Sequence, residues 1–123
     1  MEPTNFGTGA AKLERYDHAD YPGGVVVDPT PITAGQETTF FYNGLLAQSG
    51  ADQVYLRIGF GPFDNWHDVR DLRMSKTAYG WVKTLEAPTN WDRLSFCFRD
   101  SANNWDNNGG ANWSWAIHNG RMI

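Results

Sequence analysis

Between residue 24 and the C-terminus the chain is cut into short apolar runs by turn residues, at a spacing too tight for helices and regular enough for strands. Val25-Val26-Val27 stops at Asp28-Pro29, Glu37 to Tyr42 at Asn43-Gly44, and Gln53 to Phe60 at Gly61-Pro62. The pattern resumes with Val69 to Met74, Tyr79 to Glu86 before Ala87-Pro88, Arg93 to Asp100, and Asn112 to His118 before Asn119-Gly120. Thr, Val, Tyr, Phe and Trp dominate these runs, and no window sustains the i, i+3, i+4, i+7 repeat of an amphipathic helix. The expected class is therefore all-β: an antiparallel two-sheet sandwich of seven to eight strands. Its architecture is immunoglobulin-like, without the Cys, Trp, Cys spacing of an antibody domain. Residues 1–22 lack periodicity and read as an N-terminal arm, leaving 23–123 as one domain.

Alternation assigns faces. In Val54-Tyr55-Leu56-Arg57-Ile58-Gly59-Phe60 the four apolar residues at even positions point inward, and Tyr55, Arg57 and Gly59 point outward. Leu94, Phe96 and Phe98 share an inward face, opposite Ser95, Cys97 and Arg99. Trp113, Trp115 and Ile117 repeat with strand period and read as core, as does Trp81 at the head of its run. Trp91 lies in a loop and either caps the sandwich or does nothing. Trp66 and Trp105 resist a packing explanation, because each lies in a polar loop segment entered directly from a strand, and the two can meet on one surface.

The loop Trp105-Asp106-Asn107-Asn108-Gly109-Gly110 sets an aromatic plane beside short amides. Asn, Asp and Gly would mark a turn in any protein, but a turn does not call for an exposed indole. A flat apolar face next to planar donors and acceptors suits a sugar, whose axial C–H face stacks on an aromatic ring while its hydroxyls bond at the edge.

A formal net charge of -4 argues against nucleic acid, which draws on many basic side chains to neutralise phosphates. No run is long enough for a membrane span, and the first residues lack the basic and apolar regions of a signal peptide, so the expected location is the cytoplasm. The single cysteine, Cys97, forms no internal disulfide and no CxxC metal site. Asp64, Asp68, Asp71, Asp92, Asp100 and Asp106 offer carboxyls for glycoside hydrolysis, but all except Asp71 sit in turns or at strand ends, where Asp is expected anyway. No serine elbow or phosphate loop is present. Two oxygen-rich stretches, Asp17-His18-Ala19-Asp20 and Asp100 with Asn103, Asn104 and Asp106, match no EF-hand. Neither catalysis nor a metal or other cofactor is expected.

Taken in order, Tyr42-Asn43-Gly44, Val54-Tyr55-Leu56-Arg57-Ile58-Gly59, Trp66, Met74, Gly80-Trp81, Phe96-Cys97-Phe98-Arg99-Asp100 and Trp105-Asp106-Asn107-Asn108 resemble a family 25 carbohydrate-binding module. The related family 53 starch-binding modules share much of this pattern. The resemblance spans roughly residues 24–118 and implies a β-sandwich that binds starch-type α-glucans without catalysis, on a platform of two tryptophans and a histidine. It makes Trp66 and Trp105 the stacking pair, and gives Asn107 and Asn108 the task of shaping the loop or bonding hydroxyls. Arg57 stands where the family has its histidine. A guanidinium is a pure donor with a planar fork, so it either bonds vicinal hydroxyls or pairs with an acid such as Asp64 or Asp106 and takes the site away from sugar. His67, beside Trp66, either supplies the missing imidazole or is simply solvated.

The function these readings favour is recognition of starch, glycogen or maltooligosaccharides, with a catalytic partner in trans left open. Its alternative is a protein-interaction domain that uses the same exposed tryptophans. A shallow sugar site of this kind should be weak, roughly micromolar to millimolar in Kd, with avidity on a polymer to compensate.

Overall fold

The structure, a computed structural model, describes residues 19–21 (backbone) and 23–119. Most of the expected arm, residues 1–22, therefore lies outside the described residues, as do the last four positions. The described chain runs β1 (Ala19–Tyr21), β2 (Val25–Asp28), β3 (Glu37–Tyr42), a one-turn helix α1 (Leu45–Gln48), β4 (Val54–Phe60) and β5 (His67–Arg73). It continues through β6 (Ser75–Thr77), β7 (Gly80–Glu86), β8 (Arg93–Asp100), β9 (Trp105–Asp106), a 3-10 turn at Asn108–Gly110 and β10 (Trp113–Ala116).

Every run expected to be a strand is one. The additions are short: β6, β9 and β1, the last within the stretch read as an arm and paired along β2. All pairings between strands are antiparallel, and they form two sheets. One has the order β1-β2-β3-β7-β6; the other has the order β10-β8-β4-β5, with β9 beside β10 along the same edge of β8.

The sheets close on an aromatic and aliphatic core. Val54, Leu56, Ile58 and Phe60 of β4 and Leu94, Phe96 and Phe98 of β8 are buried, as alternation requires, against Val25, Val27, Phe40 and Tyr42 of the facing sheet. Phe40 meets Phe96 edge-on with ring centroids 5.0 Å apart, and Tyr42 stacks on Phe98 at 4.0 Å, so two aromatic pairs bridge the sheets. Trp113 lies beneath both phenylalanines of β8, 5.9 Å from Phe96 and 5.4 Å from Phe98. Trp81 is buried and Trp115 half-buried, and Trp91 packs on the core from its loop and so caps the sandwich. After β10 the chain crosses over: Ile117 N–H donates to the Asp92 carbonyl and His118 N–H to that of Ile32, which ends the expected last strand two residues early.

One polar group of this core ties three elements together. The Tyr42 hydroxyl donates to Asp106 of β9 and accepts the Leu46 N–H of α1. Burial, followed by the Asp106 hydrogen bond, pushes its pKa far above that of a free phenol, so it remains a donor at any ordinary pH. β9 is thus held at its outer side by β8 and from within by Tyr42, although it is only two residues long.

Candidate functional site

The outward face of the second sheet is where the sequence leaves side chains without a packing role, and its geometry follows from register. Gly59, Arg57 and Tyr55 of β4 stand opposite Ser95, Cys97 and Arg99 of β8, while Arg57 and Tyr55 also face Asp71 and Arg73 of β5. Directly paired residues point to the same side, so these form one surface. Trp105 on β9 pairs with Arg99 and joins the surface at one end.

Trp66 joins it at the other. The loop after β4 turns at Gly61, whose φ of +95° suits glycine, and carries Trp66 back over Gly59. A Cβ built on Gly59 would lie 2.8 Å from both Cβ and Cε3 of Trp66, so the indole rests where any other residue would have a side chain. The indole N–H donates to the Phe63 carbonyl at 2.8 Å, which fixes the ring over the sheet. Gly59 and Tyr55 lie four residues apart along β4, roughly 13 Å, so the two tryptophans flank a strip longer than one pyranose ring.

Arg57 occupies the middle of that strip. Its side chain is 39% exposed, and its Nη1 contacts both carboxylate oxygens of Asp71 at 3.1 Å. Its guanidinium carbon lies 5.6 Å from the centre of the Trp105 ring, near the outer limit for a cation–π contact. Asp71 also receives Arg99 Nε at 3.5 Å, and Arg99 in turn stacks on Tyr55 at 4.2 Å. The acid that pairs with Arg57 is therefore Asp71 and neither Asp64 nor Asp106; the latter turns inward to Tyr42. Beneath Arg57 the Cys97 thiol is buried, and burial pushes its pKa up to about 11 against the lowering effect of Arg57.

The loop that presents Trp105 is built from its own polar side chains. Asp100 accepts the N–H groups of Ala102 and Asn104 and the Asn104 side-chain amide, at 2.9, 2.8 and 2.9 Å. These bonds, led by the amide, hold its carboxyl below the usual range. On the far side, Asn107 caps the 3-10 turn by accepting Gly110 N–H at 2.9 Å. Asn108, at a φ of +58°, donates its amide to the Asn112 carbonyl at 3.1 Å. Of the two tasks expected of these asparagines, shaping the loop is the one with bonds to account for it. Trp105 itself is 44% exposed. His67 lies beyond the Trp66 end, its ring stacked on Trp91 at 4.9 Å, with Trp91 donating to Asp68 at 3.3 Å.

The structure thus brings Trp66, Arg57 and Trp105 onto one face, sets Asn107 and Asn108 behind Trp105, and leaves His67 at the edge. Gly59, Asp71, Arg99 and Tyr55 belong to the same surface and were not singled out as site residues by the sequence. Asp71 did carry a signal, being the one acid outside turns and strand ends, and Gly59 carried another as a glycine inside a strand.

Residues 38–96 match the family model described as starch/carbohydrate-binding module (family 53). Over 98 residues the chain is 35% identical to an alpha-amylase of Clostridium acetobutylicum, a stretch that covers 79% of this chain and 12% of the amylase. No solved structure gives a significant match. The matched residues run from β3 into β8 and include Arg57, Gly59, Trp66 and Asp71; over them the chain is similar to the starch/carbohydrate-binding modules of family 53.

Proposed function

We propose that this module binds α-1,4-linked glucans without catalysis, in the manner of a family 25 platform with an arginine in place of the histidine. The observation that carries this reading is the placement of Trp66 and Trp105 at the two ends of one outward sheet face with a guanidinium between them. Glucose units stack their C–H faces on the two indoles, and each stack removes apolar surface from water on both partners. Arg57 meets Asp71 through one terminal nitrogen, so other donors of its five N–H groups serve ring hydroxyls. Asn107 and Asn108 hold Trp105 in position, and the exposed Asn107 amide bonds hydroxyls at that end. His67 stiffens the Trp66 end through Trp91.

Nothing in this arrangement resembles an acid and base pair across a cleft. Asp71 is held by two arginines, Asp106 by Tyr42 and Asp100 by its own turn, on an open sheet face that excludes little water. A module of this kind keeps a catalytic partner, in the same chain or in trans, close to its polymer.

Electrophoresis through gels containing glycogen tests the reading. The wild-type protein should be retarded relative to a glycogen-free gel, and Trp66→Ala and Trp105→Ala should migrate alike in both while keeping their far-UV circular dichroism. Unretarded wild-type protein would refute it.

The protein-interaction reading has an observation of its own. Leu45, 62% exposed, and Trp105 line a groove between α1 and the loop at 100–105. Size-exclusion chromatography separates the two readings: a dimer dispersed by Trp105→Ala favours protein binding, and a monomer retarded by glycogen favours sugar.

A further inference from the structure

The outward face of the second sheet carries a charge that the whole chain does not. Alternation and register place Arg57 of β4, Arg73 of β5 and Arg93 and Arg99 of β8 on this face, with Asp71 as the one carboxylate on the same strand surfaces. A chain of net charge -4 therefore keeps a surplus of three positive charges on the strand surfaces between its two tryptophans, with Asp64 in the loop that carries Trp66. The remaining contacts do not neutralise them. Arg73 Nε donates to the neutral Gln53 at 2.8 Å and Arg93 Nη1 to the Ser114 hydroxyl at 2.9 Å. Asp71 is shared between Arg57 and Arg99, so one carboxylate answers two guanidiniums.

Uncharged glucose needs donors and acceptors, not an excess of fixed cations. Guanidinium groups match oxyanions, and a phosphate monoester, with a charge of about -1.5 to -2 at neutral pH and three acceptor oxygens, can be shared by more than one of them. Resting on the glucan-binding reading above, we propose that the preferred ligand of this platform is an α-glucan bearing phosphate monoesters. The phosphate displaces Asp71 from Arg57 and is held between Arg57 and Arg99 while neighbouring glucose units stack on Trp66 and Trp105. Asp71 acts as a built-in competitor that keeps the two guanidiniums positioned when no anion is bound.

The test is calorimetric titration of the whole chain with maltoheptaose, with maltoheptaose phosphorylated on a glucosyl hydroxyl, and with an oligodeoxythymidylate, at low salt and in about 1 M NaCl, where the Debye length falls to about 3 Å. The expected result is about tenfold tighter binding of the phosphorylated sugar than of the neutral one at low salt, the scale of a charge-assisted hydrogen bond. That ratio should fall to about one in high salt and in Arg57→Gln, and rise in Asp71→Asn, which removes the competitor. A wild-type ratio of one with the neutral sugar bound overturns this inference alone. Failure of both sugars overturns the glucan-binding reading along with it. Tighter binding of the oligodeoxythymidylate than of the phosphorylated sugar overturns it by assigning the charged face to nucleic acid.

Discussion

Replacing Gly59 by alanine adds one methyl group and should remove a large part of the binding site without unfolding the domain. Gly59 pairs in register with Ser95 on β8, beside a register shift in the pairing of β4 with β5, and its backbone demands no left-handed conformation, so alanine meets no backbone strain there. Its Cβ would lie 2.8 Å from Cβ and Cε3 of Trp66 and 3.1 Å from Cδ2. Trp66 would have to recede by about 0.6 Å merely to reach the 3.4 Å at which ordinary contact begins, and a shift at Cβ is magnified across the ring. Trp66 is half-buried and packs against the edge of the core, but from a surface loop and not from a sheet, so it can move, and the cost to stability should stay near the low end of overpacking, about 1 kcal/mol. Binding should suffer more. Moving the ring breaks the indole bond to the Phe63 carbonyl and misaligns one of two stacking planes, a loss of about 1.4 kcal/mol or tenfold in Kd. Titration with maltoheptaose beside a urea melt reads both quantities. Wild-type affinity in Gly59→Ala would refute the assignment of Trp66 to the platform, and global unfolding would refute its placement on a yielding loop.

Trp113→Ala should do the reverse, costing about 3–5 kcal/mol in urea unfolding, because the ring is 1% exposed and packs on Phe96 and Phe98; a loss under about 1 kcal/mol would contradict its place in the core. Asp100 is ionised at neutral pH and its folded-state pKa is lowered by the Asn104 amide and the turn N–H groups, so its contribution to stability is present above the unfolded value of about 3.9 and disappears as pH falls through the folded one. Asp100→Asn should accordingly lower the urea midpoint at pH 7 and match the wild type once the pH is below both values; a difference that persists unchanged in acid would show that charge is not the cause. Cys97, a buried thiol with its pKa pushed up to about 11, should resist iodoacetamide at neutral pH until denaturant is added; rapid labelling of the folded protein would contradict its burial beneath Arg57.

The strands were legible because each is long enough to show its period. Val54 to Phe60 and Leu94 to Phe98 alternate over several residues, and the turn chemistry at Asn43-Gly44 and Gly61-Pro62 marks where they stop. β6 and β9, three and two residues long, have no period to read, and β9 is held in place by tertiary partners: Arg99 across the ladder and Tyr42 from the opposite sheet. That missing strand had a consequence for the site. Once Trp105–Asp106 is known to be a strand, alternation turns Trp105 out and Asp106 in, which removes Asp106 as a partner for Arg57. Asp71 replaces it through the register of β4 on β5, and register is a relation between segments that composition does not encode. Ser95 and Cys97 show a related effect: alternation sends them outward correctly, yet both are buried, because the outer face carries a further layer of side chains. Net charge has a similar limit. A sum of -4 over the chain is silent about how charges divide between faces, and Arg57, Arg73, Arg93 and Arg99 gather on the one that also holds the tryptophans.

The central claim is that two tryptophans and the strip between them recognise an α-linked glucan, and it is tested most directly by isothermal titration with maltoheptaose, with cellohexaose as the β-linked control and Trp105→Ala as the site control. The account predicts saturable binding of maltoheptaose, no heat with cellohexaose, and loss of the maltoheptaose signal in a folded Trp105→Ala variant. Equal binding of the two sugars, maltoheptaose binding that survives in Trp105→Ala, or silence toward both at millimolar concentration would contradict it.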